Sequence, residues 1–152
     1  YVIELLKQDP TLIVTQQACP MWVPLIESGE HLSDGADYFV EKYLTELLTR
    51  DPLIDTIILG CTHYPLLQPK IEAFLEKYEH TKFLNQNSKF KIISQGEIVA
   101  LSFADYLRRH PEFSQDSKGG TCRYLTTESA NKFSGAASLF LSELIEAQHI
   151  EL

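Results

Sequence analysis

The chain has few cysteines, and none of them forms a Cys-x-x-Cys pair. The three cysteines are Cys19, Cys61 and Cys122. An odd number without paired spacing excludes a disulfide framework. We therefore expect any cysteine that has a function to act as a thiol.

Basic side chains are also scarce. The 152 residues include 13 Lys and Arg against 21 Asp and Glu, and residues 1–60 hold ten acidic but only three basic side chains. This balance disfavours a nucleic-acid or anionic-membrane partner. No apolar run approaches the roughly 20 residues that span a bilayer, and no basic-then-apolar signal segment opens the chain. A soluble, cytoplasmic protein is expected.

Apolar periodicity predicts alternating strands and helices. Four strands are expected at 11–15, 54–59, 90–94 and 121–127. One helix is expected to end near residue 7, and four more are expected over 36–50, 65–78, 96–109 and 133–145. Apolar faces that pack in the core are expected over 33–50 and 128–147 and at Ile98, Leu101, Tyr106 and Leu107. Long connections are predicted over 16–35, 79–89 and 110–120. The order indicates an α/β fold with an open, mostly parallel sheet flanked by helices.

The most informative stretch is LGCTHYPLL, residues 59–67. An apolar strand ends at Gly60, Cys61 and His63 follow, and Pro65 opens a helical pattern. Ligands of open α/β sheets bind beyond the carboxyl ends of strands. A helix N-terminus and a nearby histidine both lower a thiol pKa from its usual value of about 8.5. Cys61 and His63 are therefore the first candidates for chemistry.

Several segments resemble glutamate racemases of the aspartate/glutamate racemase family. They are GCTHYPLL at 60–67, ACP at 18–20, VPLIE at 23–27 and YLTT at 124–127. The resemblance implies a racemase that interconverts L- and D-glutamate without a cofactor or metal and supplies D-glutamate for peptidoglycan. A histidine at position 63, where aspartate racemases carry Glu, favours glutamate as the substrate.

The resemblance also implies residue roles. In the family, two cysteines face the substrate Cα from opposite sides, and Cys61 matches the second of them. His63 matches the residue that assists it, and Glu27 matches an acid near that histidine. Substrate binding is assigned to Gly60, Thr62 and His63. Glutamate is thus the expected partner, and a homodimer is a further expectation.

One part of the family pattern is absent from this chain. The first catalytic cysteine belongs to a Cys-Asn-Thr-like motif in an N-terminal half, which this sequence lacks. We therefore expect the C-terminal portion of a racemase, inactive by itself. Residues 1–94 would be an incomplete second α/β domain, and 95–152 a strand and helices that pack on the absent domain.

Three alternatives remain open from the residues alone. Cys61 and His63 fit a thiol hydrolase or transferase, although no orienting acid is evident from spacing. A metal site using Cys61, His63, Cys19 and an acid is disfavoured because only one short-spaced ligand pair exists. An inert structural domain is the third. Cys19 and Cys122 are expected to be structural, and Trp22 to be a packing anchor.

Overall fold

The structure, a computed structural model, describes residues 1–82, 90–113 and 121–152, with the side chains of 80–82 left aside. Most of the predicted connection over 79–89 and of that over 110–120 lies outside the described residues. The chain divides into two compact units, residues 1–100 and 101–152.

The first unit alternates helices and strands. Its elements are α1 (Val2–Gln8), α2 (Trp22–Glu27), α3 (Asp34–Arg50), β1 (Thr56–Ile58), a 3-10 helix (Tyr64–Leu67), α4 (Gln68–Lys82), β2 (Lys91–Ile93) and the start of α5 (Gln95–Arg109). Strands β1 and β2 are parallel, with Ile57 opposite Ile92. The α4 crossover that joins them is the connection that parallel strands require. The predicted α/β class with parallel strands is confirmed.

The core of the first unit lies between α3, α4 and β1. Buried apolar side chains recur along α3 from Ala36 to Leu48. Leu67, at the end of the 3-10 helix, and Ile71, in the first turn of α4, are fully buried. Lys70 on α4 donates to the Asp37 carboxylate on α3 over 2.6 Å, and its own side chain is largely buried. The predicted core face of residues 33–50 is therefore confirmed.

The predicted loop over 16–35 contains a helix instead. Helix α2 forms there even though it contains Pro24, because Pro24 lies in the first turn, where proline is tolerated. Gly29 ends the helix with φ +78°. The Glu30 N–H donates to the Leu25 carbonyl over 2.8 Å, so the glycine closes a left-handed C-terminal cap.

The predicted strand at 11–15 is wrong. The segment is irregular, and Ile13 is 84% exposed. Two hydrogen bonds join this part of the chain to the end of α3: the Thr15 hydroxyl donates to Asp51 over 2.9 Å, and Arg50 donates to the Gln16 carbonyl over 2.8 Å. A β-branched run becomes a strand only where a neighbouring strand pairs with it, and none of the described strands does so here.

The second unit carries the rest of α5, a 3-10 helix (Pro111–Phe113), β3 (Tyr124–Thr126), α6 (Ala130–Leu141) and β4 (Ala147–His149). Strands β3 and β4 are parallel, with Leu125 opposite Gln148. Strand β4 was not predicted because its sequence, AQH, has neither an apolar run nor alternation. The predicted helices over 96–109 and 133–145 are present, although α6 begins and ends earlier.

The predicted core face of α5 is wrong, and of the residues 128–147, all of them described, Ile145 alone is a buried apolar residue, at 4% exposure. Helix α5 has no buried residue, and Ile98 and Leu101 are mostly exposed. Helix α6 has none either, and Phe133 and Phe140 are more than a third exposed. Both helices are amphipathic, as their periodicity predicted, and α6 packs on β3 and β4, but large apolar side chains on both helices remain exposed. None of the described helices has the length and apolar character needed to cross a membrane.

Candidate active site

Cys61 lies just beyond the carboxyl end of β1, as the sequence predicted. The Leu59 N–H donates to the Ile93 carbonyl over 3.0 Å, and the Gln95 side chain donates to the Leu59 carbonyl over 3.1 Å. The Tyr64 N–H then donates to the Cys61 carbonyl over 3.2 Å and starts the 3-10 turn. These bonds fix the backbone on both sides of the thiol.

Three predicted residues meet at this point. The Cys61 Sγ lies 3.8 Å from His63 Nδ1, and His63 Nε2 lies 3.3 Å from Glu27 Oε1. Cys61 is half-buried, the His63 side chain is 24% exposed, and the Glu27 side chain is 63% exposed. Glu27 comes from the end of α2, so the fold joins groups that are far apart in sequence.

This order of groups assigns a direction to proton transfer. When Nε2 carries the hydrogen and donates to Glu27, Nδ1 has a lone pair that faces the thiol. The imidazole can then take the proton of Cys61, and the carboxylate stabilises the imidazolium that forms.

Aromatic packing holds α2 and the turn together. The Trp22 ring, which is buried, packs edge-on against Tyr64 with centroids 4.8 Å apart and lies 6.2 Å from Tyr43. Burial raises the pKa of Tyr64 to about 12, with smaller contributions from Cys19, Cys61 and Tyr43. Trp22 is thus the packing anchor that the sequence predicted. Tyr64 was not singled out, although its position directly after His63 was a usable signal.

The predicted substrate-binding residues lie on the same turn. Thr62 is exposed, with its side chain open to solvent beside Cys61 and His63. At Gly60 an added Cβ would meet the Tyr1 ring at 3.8 Å, an ordinary contact. Steric crowding therefore does not require glycine at position 60. A substrate-binding role for Gly60 and Thr62 stays a prediction.

The other two thiols differ from Cys61 and from each other. Cys19 is buried, and burial raises its pKa to about 12, assisted by the charge of Glu46. Cys122 is exposed and precedes β3, so the prediction that it lies in a strand as a structural residue is wrong. A hydrogen bond with Cys122 raises the pKa of Tyr124. Cys19 packs in the core, as predicted.

Metal ligation requires several donor side chains close together. Across residues 1–82, 90–113 and 121–152, no group of three or more His, Cys, Asp or Glu side chains is placed to hold a metal ion. The Cys61 Sγ and His63 Nδ1 atoms are 3.8 Å apart, an arrangement that suits proton transfer between them.

Comparison with known proteins identifies the family. No protein-family model matches the chain. It is 35% identical to a glutamate racemase of Shouchella clausii over 142 residues, which is 93% of this chain and 46% of that protein. It superposes on glutamate racemase isoform RacE1 of Bacillus anthracis with a TM-score of 0.78 and 30% identity, covering 100% of this chain and 52% of that one. The chain belongs to the glutamate racemase family.

The likeness to glutamate racemases extends along nearly the whole chain but not along the whole of its relatives. The chain spans about half the length of the glutamate racemases that it matches. A Francisella tularensis glutamate racemase, solved in complex with D-glutamate, has the same fold at a TM-score of 0.78 and 24% identity. It is likewise covered to only about half, 51%.

Proposed function

We propose that the chain is the C-terminal portion of an enzyme that interconverts L- and D-glutamate, with Cys61 as one of its two acid–base groups. The relay from Cys61 through His63 to Glu27 is the observation that carries this proposal, because it provides a thiol that can both lose and regain a proton. The family membership supports glutamate as the substrate.

The chemistry explains why Cys61 needs an opposed partner. One group must remove the Cα proton and another must deliver a proton to the opposite face, since a single base returns the proton to the side it came from. The other thiol of the first unit, Cys19, is buried and holds its proton up to a pKa of about 12. The second acid–base group then belongs to the part of the relatives that this chain does not match, and the chain alone is inactive.

Thr62 and Gly60 complete the site in this proposal. The exposed turn at 60–63 presents a hydroxyl and backbone beside the thiol, where a substrate carboxylate must be held and its charge offset while a carbanion forms. His63 lies on the same turn and contributes to both tasks. The reaction uses no cofactor and no metal.

The biological setting follows from the product. The parent enzyme supplies D-glutamate for peptidoglycan in the cytoplasm and so supports cell-wall synthesis and cell shape. A solved relative is a complex with D-glutamate, which agrees with this ligand. Residues 95–152 pack on the N-terminal domain of the parent, where the exposed faces of α5 and α6 find their cover, and the parent forms a homodimer.

Solvent deuterium incorporation tests the proposal. Glutamate is incubated in deuterium oxide with the 152-residue chain and, separately, with the full-length parent, and Cα exchange is followed by NMR. The parent is expected to exchange both enantiomers, and Cys61→Ala in the parent is expected to abolish racemisation while Cys19→Ala retains it. Normal racemisation by the chain alone, or by the Cys61→Ala parent, contradicts the two-thiol assignment.

One alternative is favoured by a specific observation. The thiol, imidazole and carboxylate follow one another as they do in thiol hydrolases and transferases, and Glu27 supplies the orienting acid that the sequence left unidentified. A hydrolase forms a covalent acyl-enzyme, whereas a racemase does not. Intact mass after incubation with activated esters separates the two, because an adduct confined to Cys61 that turns over in water indicates the hydrolase.

A further inference from the structure

The hydrogen-bond ladder between β1 and β2 continues beyond the two strands. The strands pair as far as Ile58 and Ile93. The Leu59 N–H then donates to the Ile93 carbonyl over 3.0 Å. In a parallel ladder, the carbonyl of the same residue accepts from the residue two positions further along the partner strand. The next donor to Leu59 is therefore expected at residue 95.

Gln95 supplies that donor with its side chain. The residue opens α5, and its Nε2 donates to the Leu59 carbonyl over 3.1 Å in a half-buried position. The N–H and the C=O of Leu59 are thus both held by the segment 93–95, which joins β2 to α5. Any residue except proline has a backbone N–H, but few have a side-chain donor of this reach. This bond therefore depends on the identity of residue 95.

Only Gly60 separates this anchor from Cys61. Glycine has the widest choice of φ and ψ, so the backbone before the thiol is fixed by its hydrogen bonds and not by the side chain at position 60. On the far side of the thiol, the Tyr64 N–H donates to the Cys61 carbonyl over 3.2 Å. The thiol therefore lies between one anchor made by Gln95 and one made by Tyr64.

The position of the thiol matters because its contact with the imidazole is long. The Cys61 Sγ lies 3.8 Å from His63 Nδ1. Proton transfer requires the two atoms to stay within hydrogen-bond reach, and a displacement of about 1 Å can cost a large part of a catalytic rate. Releasing the Leu59 carbonyl would act on the thiol through this distance.

We propose that Gln95 is a positioning residue for Cys61. Its side-chain amide holds the Leu59 carbonyl and, through Gly60, keeps the thiol within reach of His63. The role is indirect, because the bond goes to a backbone carbonyl and not to the thiol. The inference rests on the proposed function, in which this thiol is an acid–base group of a racemase.

Alkylation of Cys61 in the 152-residue chain tests the proposal without glutamate. Gln95→Ala removes the amide, and Gln95→Glu replaces it with a carboxylate of similar shape that cannot donate at neutral pH. Both variants are expected to slow the reaction of Cys61 with iodoacetamide about threefold to tenfold relative to the exposed Cys122. An unchanged rate in either variant overturns the proposal.

Gln68→Ala is the matched control. Gln68 also opens a helix, α4, and its Nε2 also donates, but the acceptor is Glu72 on the same helix, 2.8 Å away. The Cys61 labelling rate of this variant is expected to equal that of the unmodified chain. A loss as large as that of Gln95→Ala would mean that any weakened helix start slows the thiol, which overturns a specific role for Gln95.

A double substitution separates positioning from general support of the fold. If Gln95 acts through the contact between Cys61 and His63, adding Gln95→Ala to His63→Ala slows labelling no further, because the contact is already lost. Losses that multiply overturn the proposal. If Gln95→Ala fails to fold, the unmodified chain decides: NMR is expected to show a scalar coupling across the bond from Gln95 Nε2 to the Leu59 carbonyl carbon, and its absence overturns the anchor.

In the full-length parent, the effect of Gln95→Ala is expected to differ between the two directions of racemisation. With α-deuterated glutamate, the isotope effect on kcat/KM is expected to rise in the direction in which Cys61 removes the proton, because that step becomes slower. In the other direction Cys61 only returns a proton, so no rise is expected. Equal rises in both directions contradict action through Cys61. Since labelling does not involve glutamate, a failed positioning test and a failed racemase test are distinguishable.

Discussion

Glu27 reaches the imidazole of His63 on the nitrogen that faces away from the thiol. The carboxylate is therefore placed to orient the ring and to stabilise its charged form, while Cys61 is the group that we propose meets a substrate. Because Glu27 is mostly exposed, solvent weakens its charge interaction with His63. A modest positioning effect follows, smaller than the effect of His63.

Substituting Glu27→Gln is expected to slow the reaction of Cys61 with iodoacetamide about threefold to tenfold. A hydrogen bond to a charged group at an exposed site is worth about 1 kcal/mol. Peptide mass spectrometry measures the labelling of each thiol over time. Cys122, which is exposed, serves as an internal reference whose rate is expected to stay constant.

The matched control is Glu30→Gln, an exposed acid just beyond the same helix. Its Cys61 labelling rate is expected to equal that of the unmodified chain. A similar loss in both variants would mean that net charge, and not the Glu27–His63 contact, sets the rate.

Because the Cys19 thiol is buried, we expect the protein to lose stability at alkaline pH. Its pKa rises from 9.0 in the unfolded chain to about 12 in the fold, so folding favours the protonated thiol. The stabilisation is complete below pH 9 and is lost as the pH rises toward 12. Between pH 8 and pH 10 the free energy of unfolding is expected to fall by about 1 kcal/mol from this group.

Urea unfolding at the two pH values measures this effect, with Cys19→Ala as the comparison. The variant is expected to lose less stability between pH 8 and pH 10 than the unmodified chain, because it has no thiol to ionise. An equal decline in both proteins would assign the alkaline loss to other groups, such as Tyr64.

At the scale of elements, α2 depends on the cap that ends it. Gly29 adopts φ +78°, and an added Cβ would meet nothing within 4 Å. Glycine is thus required at position 29 by the positive φ of the backbone and not by steric crowding. Since Glu27 lies in the last turn of α2, the cap also fixes the acid of the candidate site.

Gly29→Ala is expected to lower the free energy of unfolding by about 1 kcal/mol because alanine is strained at positive φ. Gly96→Ala is the matched control: it also has open space around its Cβ but lies in α5 with ordinary helical geometry. It is expected to raise stability by about 0.5 kcal/mol. Thermal and urea unfolding of the two variants measure the difference, and losses of equal size in both would contradict a conformational cause at Gly29.

The sequence predicted those elements whose neighbours are also in the chain. Helix α3 and strands β1 and β2 follow their apolar patterns because each pattern meets its partner in the first unit. Segment 11–15 has an equally clear pattern but no strand beside it. Cys61 and His63 were found from their spacing. Their contact with Glu27, 36 positions away, was not evident from spacing and rested on the family resemblance alone.

At the scale of the whole molecule, the exposed apolar faces of α5 and α6 stand out. Leu101 and Phe103 are each more than half exposed, and Phe133 and Phe140 more than a third. A monomeric soluble protein rarely leaves such faces uncovered. We propose that the N-terminal domain of the parent covers these faces.

The double substitution of Leu101 and Phe103 by lysine is expected to reduce the fluorescence of a bound apolar dye and to change the thermal midpoint by no more than about 2 °C, since surface substitutions have small effects on stability. Leu44→Ala, in the core between α3 and its neighbours, is the contrasting variant and is expected to cost about 2–5 kcal/mol. A large loss of stability in the lysine variant would show that the α5 face is already part of a packed core.

The two parallel strand pairs also govern how fast each unit can fold. Ile57 must find Ile92 and Leu125 must find Gln148, each across an intervening helix, so neither pair can form as a local hairpin. Such non-local closure slows folding because loop entropy is lost before the contacts form. The shorter excursion between β3 and β4 should close first, and in stopped-flow refolding the second unit is expected to gain its structure ahead of the first.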